Sequence, residues 1–177
     1  MGLAGSDDFA LKVSPDGAAW TTALAAEAAS GTVDFPAGLR LAGGARLETC
    51  ETGSWTPELA DAASGGAVAG ATTAAGRYVR IGEMVQASFV LDGIDTTGLA
   101  GGNDLWIRGL PYPVKASASA RLTAAAHLAH VTAASPPWLY ATGGDSALRL
   151  MRMVSGAAPA ALTSGSAEIG ASLSYRA

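Results

Sequence analysis

Few side chains in this sequence could do chemistry, and their spacing decides how much. His127 and His130 are the only histidines, at an i, i+3 spacing. On a helix they would share a face, while on a strand they point to opposite faces and one of them must turn inward. A metal ion would need a carboxylate beside them, and no acid lies between residues 105 and 144. Gly144-Asp145-Ser146 and Gly170-Ala171-Ser172 approach the Gly-x-Ser-x-Gly nucleophile elbow, but Leu148 and Ser174 stand where its second Gly belongs. Asp92, Asp95, Asp104 and Asp145 could supply the paired carboxylates of glycoside hydrolysis. All four sit near turns, where Asp ordinarily accepts backbone N–H groups. Gly98-Leu99-Ala100-Gly101-Gly102 lacks the Lys-Ser/Thr ending of a phosphate loop. A lone Cys50 excludes an intramolecular disulfide and a thiolate zinc cluster. The sequence therefore predicts no catalytic residues, no metal site and no cofactor.

Binding surfaces are better represented. In Pro136-Pro137-Trp138-Leu139-Tyr140 a proline pair stiffens the approach, and Trp138 and Tyr140 share one face of an extended segment. Exposed aromatic faces stack on the apolar faces of sugar rings, and nearby polar groups bond hydroxyls or acidic substituents. The following Gly143-Gly144-Asp145 loop is where function would collect. Candidate carbohydrate ligands are Trp138, Tyr140, Asp145, Arg149, His127, His130, Trp106 and Tyr112, with Arg149 and the histidines suited to acidic sugars. The competing reading makes Trp138 and Tyr140 core residues of a small sandwich, and the sequence leaves both open.

The elements that must position these residues read as strands. Phe9, Leu11 and Val13 alternate with Asp8, Ala10 and Lys12, and Ser14-Pro15-Asp16-Gly17 is a turn. Thr21 to Ala29 reads as an extended return strand, and residues 36–54 as a narrow glycine-rich connector. Gly82-Glu83 is a two-residue hairpin loop between Tyr78-Val79-Arg80-Ile81 and Met84 to Leu91, with Gly first as a type II′ turn wants. Val85, Ala87, Phe89 and Leu91 share a face. Leu105 and Ile107 oppose Trp106 and Arg108. Leu148 and Leu150 oppose Arg149, Met151 and Met153, a face that a second copy of the chain would cover. Ile169, Ala171, Leu173 and Tyr175 close the pattern. Short strands spaced by turns predict an all-β fold, a sandwich or barrel.

Composition narrows the function further. Ala accounts for 40 of 177 residues, so large apolar side chains suffice for one modest core. No run of 18 apolar residues exists, which excludes a membrane-spanning helix. The N-terminus lacks a basic and an apolar segment, so no secretory signal is expected. Two Lys and nine Arg against fifteen acids argue against binding nucleic acid through a basic field. Charge is uneven: residues 1–61 carry nine acids and three bases, residues 62–177 six acids and eight bases. We accordingly divide the chain into residues 1–50 and 51–177.

Several of these segments carry a resemblance. Asp7-Asp8-Phe9-Ala10-Leu11-Lys12-Val13-Ser14-Pro15-Asp16-Gly17 with Gly31-Thr32-Val33-Asp34-Phe35-Pro36 resembles a segment of structural proteins of alphaproteobacterial phages and prophages. Gly53-Ser54-Trp55-Thr56-Pro57, Gly76-Arg77-Tyr78-Val79-Arg80-Ile81-Gly82 and Ile107-Arg108-Gly109-Leu110-Pro111 resemble the terminal domain of phage tail fibres and head spikes. The small size is similar to head-spike proteins of gene transfer agents. The resemblance implies a homotrimer on the virion surface, made in the bacterial cytoplasm. Its jelly-roll knob would bind host capsular or cell-surface polysaccharide, and its N-terminal region would join other virion proteins. A chain of 177 residues leaves no room for a long shaft or an enzymatic spike domain. The alternative is a purely structural virion protein, a capsid decoration or fibre base with no ligand of its own.

Overall fold

Every regular element among the described residues is a β-strand. The computed structural model describes residues 2–3, 7–44, 46–47, 49–100, 102–117, 119–132, 137–152, 161–162 and 165–177. Met153 lies outside them, as does Pro136. The backbone packs as two units, Met1–Cys50 and Glu51–Ala177.

In the first unit β1 (Gly2–Leu3), β2 (Phe9–Val13), β3 (Thr21–Ala26) and β4 (Val33–Asp34) form one antiparallel sheet in sequence order. Local turn chemistry sets it. Asp16 accepts the Ala18 and Ala19 N–H groups at 2.9 Å each, and Ser14 Oγ accepts the Gly17 N–H at 2.8 Å. The stretch read as a connector holds more order than expected: β5 (Leu39–Arg40) and β6 (Arg46–Leu47) form a small hairpin. Its turn is closed by the Gly44 N–H donating to the Leu41 carbonyl, a bond that composition alone does not announce.

The second unit contains β7 (Cys50–Trp55, whose first residue belongs to the other unit), β8 (Glu58–Ala60), β9 (Thr73–Ile81), β10 (Met84–Ile94), β11 (Trp106–Arg108) and β12 (Arg121–Ala129). It continues with β13 (Val131–Thr132), β14 (Pro137–Thr142), β15 (Leu148–Arg152), β16 (Ala161–Leu162) and β17 (Ala167–Arg176). Nine strands form one antiparallel sheet in the order β7-β9-β10-β17-β12-β14-β15-β11-β8. Two features curl it into a sandwich-like body. Strand β12 changes partner midway: residues 121–125 pair with β14, and Ala126 to Ala129 pair with β17. The two edge strands β7 and β8 are consecutive in sequence, joined only by Thr56 and the buried Pro57.

Between the two halves lies one apolar cluster. Val85, Leu91, Ile94 and Ile169 come from one half, and Leu59, Ile107, Leu122, Leu139 and Leu148 from the other. The alternation read from β10 and β17 is the one observed, and Ile107, Leu148 and Leu150 turn to the cluster while Trp106 and Arg149 do not, because each strand has a single face against it. The outer-face reading of Met151 and Met153 lies outside the described side chains. Gly82 opens the β9–β10 loop at φ +58°, where a Cβ would be strained.

The segments 53–57, 76–82 and 107–111 meet inside this unit. The Trp55 indole lies where a Cβ on Gly76 would stand, and Tyr78 occupies the same place over Gly53. The Thr56 carbonyl approaches Gly109, which has φ +87°. Trp55 then packs edge-on against Phe89 at 5.5 Å. In each pair a missing side chain makes room for a ring or a carbonyl, so these glycines and aromatics specify packing.

Candidate functional site

Strand register assembles the site. Antiparallel partners place their side chains on one face. Thr123 on β12 opposes Tyr140 on β14, Tyr140 opposes Arg149 on β15, and Arg149 opposes Trp106 on β11. In the next row Ala125 opposes Trp138, and Trp138 opposes Met151. The intervening Leu139 and Leu148 are fully buried, so this row lies on the face turned away from the core. Tyr140, Arg149 and Trp106 thus cross three strands over about 10 Å, with Trp138 about 7 Å along the strand from Tyr140.

Trp138 meets neither sequence expectation alone. It is half-buried, outside the apolar cluster, and packs edge-on against Tyr140 at 6.0 Å. Beside its ring Thr123, Ala124 and Ala125 border an open hollow of about 390 Å³. Arg149 carries the positive charge of the row. Its guanidinium lies 5.8 Å from the Trp106 ring centroid, and Nη2 is ion-paired with Asp104. Trp138 Nε1 and Arg149 Nε are buried and have no hydrogen-bond partner among the described residues.

Four sequence candidates are therefore brought together: Trp138, Tyr140, Arg149 and Trp106. The other four lie elsewhere. Asp145 closes the β14–β15 connection, where its Oδ2 accepts the Thr142 N–H at 2.7 Å and the Thr142 hydroxyl at 2.8 Å. The loop around it is fixed by backbone, since a Cβ on Gly143 would strike the Ser117 and Lys115 backbones. Tyr112 sits in another cluster, edge-on to Tyr78 at 5.6 Å and 4.4 Å beneath the Arg80 guanidinium. Its hydroxyl donates to Glu51, and that bond pushes its pKa up to about 12. Its carbonyl accepts the Tyr175 hydroxyl at 2.9 Å, and burial raises the Tyr175 pKa to about 12 as well.

The histidines correct an expectation. On an unbroken strand one of them would face inward, yet both are exposed. His130 has φ +53° and leaves the strand path after Ala129, which cancels the alternation. His127 stands on the outer face of β12, with Nε2 3.9 Å from Glu168. It borders an open groove of about 860 Å³ crossed by Ser54, Arg77, Ser88 and Ser172, which adjoins the hollow beside Trp138 at Ala125. The rings lining that groove, Trp55 and Phe89, are core residues, so it offers no aromatic face.

The four turn aspartates are all engaged. Asp92 accepts the Gly93 N–H, Asp95 accepts the Thr97 N–H, Asp145 holds Thr142 and Asp104 holds Arg149. Among the described residues no three His, Cys, Asp or Glu side chains converge as metal ligands. No helix among them is long and apolar enough to cross a membrane. Sequence reasoning had Asp104 only as a possible acid; its place beside Arg149 depends on strands 40 residues apart and had no local signal. Comparison with protein families, with characterised proteins and with solved structures found no match to this chain.

Proposed function

We propose that this chain is a spike or fibre protein of a phage-like particle, which adsorbs the particle to polysaccharide on the host surface. The observation that carries the binding half is the row Trp138–Tyr140–Arg149–Trp106 on the outer face of the sheet. Three aromatic rings around one guanidinium give a sugar both stacking surface and hydrogen-bond donors. The order of the fibre-like motifs supports the particle assignment. The curled sheet, with β12 shared between its halves, supports a jelly-roll knob in residues 51–177.

In this reading residues 1–50 attach the protein to other virion components, and the working form is a homotrimer. Support for assembly comes from the exposed apolar residues Leu11, Val13, Trp20, Val33 and Phe35, which a single chain leaves uncovered. Three copies of a weak sugar site give avidity without new contacts. The test is Trp138→Ala on an array of capsular and envelope glycans. Glycan binding should fall at least several-fold while the protein remains folded by circular dichroism. A wild-type protein that binds no glycan would instead favour the capsid decoration or fibre base.

A further inference from the structure

Asp104 sets the charge of the aromatic row, and we infer that it selects neutral, hydroxyl-rich sugars over acidic ones. This inference rests on the carbohydrate-binding reading of the row. The sequence alone gives Arg149 as a ready partner for a carboxylate. The structure gives that role to Asp104, which holds the Nη2 edge of the guanidinium from the segment just before β11. Both side chains are about one-third exposed or less, 33% for Arg149 and 27% for Asp104, so the pair is partly screened from water.

Two consequences follow for a ligand. A sugar carboxylate approaching Arg149 meets a second carboxylate already on the same guanidinium, and the like charges repel. A neutral sugar meets no such opposition. Each hydroxyl is both donor and acceptor, so two adjacent hydroxyls can donate a hydrogen bond to Asp104 and accept one from Arg149. On the same face of β12, His127 stands near Glu168 beside the other groove, and the Arg121 guanidinium donates to the Ala120 carbonyl. Asp104 is thus a specificity-determining residue rather than a general acid.

The experiment uses the full chain and matched oligosaccharides: cellohexaose against its C6-oxidised glucuronate counterpart, and a wider panel of neutral and uronate glycans paired in the same way. Binding is measured for the wild type, Asp104→Asn and Trp138→Ala. The wild type should favour the neutral member of the pairs it binds, and Asp104→Asn should move that preference at least tenfold toward the uronate. Raising the salt should weaken only the new uronate binding. Should the amide variant be produced unfolded, Asp104→Ser removes the same charge with a smaller side chain. A wild type that prefers uronates, or a neutral-to-uronate ratio that Asp104→Asn leaves unchanged, overturns the inference while loss of binding in Trp138→Ala still upholds the site. Absence of glycan binding in every protein overturns both.

Discussion

The two units are made from the same local materials, alternating strands and Gly-containing turns, yet only one of them has an interior. Residues 51–177 enclose a continuous apolar cluster from Trp55 to Tyr175. In residues 7–50 no described residue is buried, and seven of the eleven large exposed apolar side chains fall there. Leu11 on β2 stands opposite Leu24, and Val13 opposite Thr21, on a sheet with no second layer of its own. Turn chemistry is enough to shape a hairpin, but a two-layer core is what makes it independently stable. The first unit is therefore a fold written for company, and the second a fold that stands alone.

Cutting the chain at the boundary should give the largest effect. Residues 51–177 should melt cooperatively, whereas residues 1–50 as a dilute monomer should show no cooperative transition by circular dichroism. A cooperative melt of monomeric residues 1–50 would break the comparison at its root.

Glycine substitutions sharpen it. Alanine at Gly109 meets both a positive φ and the Thr56 carbonyl, so we expect a loss of about 3 kcal/mol or more in denaturant unfolding. At Gly17 the φ is also positive, +71°, but nothing lies within 4 Å of the added Cβ. There only the backbone strain remains, about 1 kcal/mol, and it falls on a unit without a cooperative core, so the denaturant midpoint of the full chain should not move. Equal costs at the two positions would mean that packing does not separate the units.

A smaller difference concerns alkaline pH. All four tyrosines belong to the second unit, and the folded pKa values of Tyr112 and Tyr175 are raised from 10.0 to about 12. A raised pKa means that the folded state favours the protonated phenol. That contribution is complete below pH 10 and is lost as pH climbs through 12. Absorbance titration near 295 nm should show two phenols ionising late in the native protein and with the rest once urea is present. Amide signals of the first unit should not follow that transition. Ionisation of Tyr112 or Tyr175 near pH 10 in the native state would refute it.

What could be read from the sequence follows the range of each interaction. The all-β class was legible because alternation and turn residues act within a few positions: Gly82-Glu83 makes a hairpin, and Val85 to Leu91 choose one face. The tail from Ile169 to Tyr175 was equally plain. The residues of the aromatic row were visible singly, as aromatics and an arginine. Their assembly was not, because it depends on β11 lying beside β15 and on the pairing of Asp104 with Arg149 across 45 positions. Alternation misled at His130, where one residue with a positive φ resets the faces. The order in β5 and β6 was hidden by glycines that look like a linker and act as a turn.

The two-residue bridge between β7 and β8 has a mechanical consequence. Under the proposed role, a pull on the particle enters the second unit at Glu51 and travels along β7. Through Thr56 and Pro57 it passes straight into β8, the neighbour of β11, which carries Trp106. Carried along the chain, tension between tether and sugar reaches the aromatic row across the ladder Trp106–Ala60, Ile107–Leu59 and Arg108–Glu58, while β9 shares the load on β7. Drawn along the strands, the hydrogen bonds of that ladder share the load in shear instead of opening one after another.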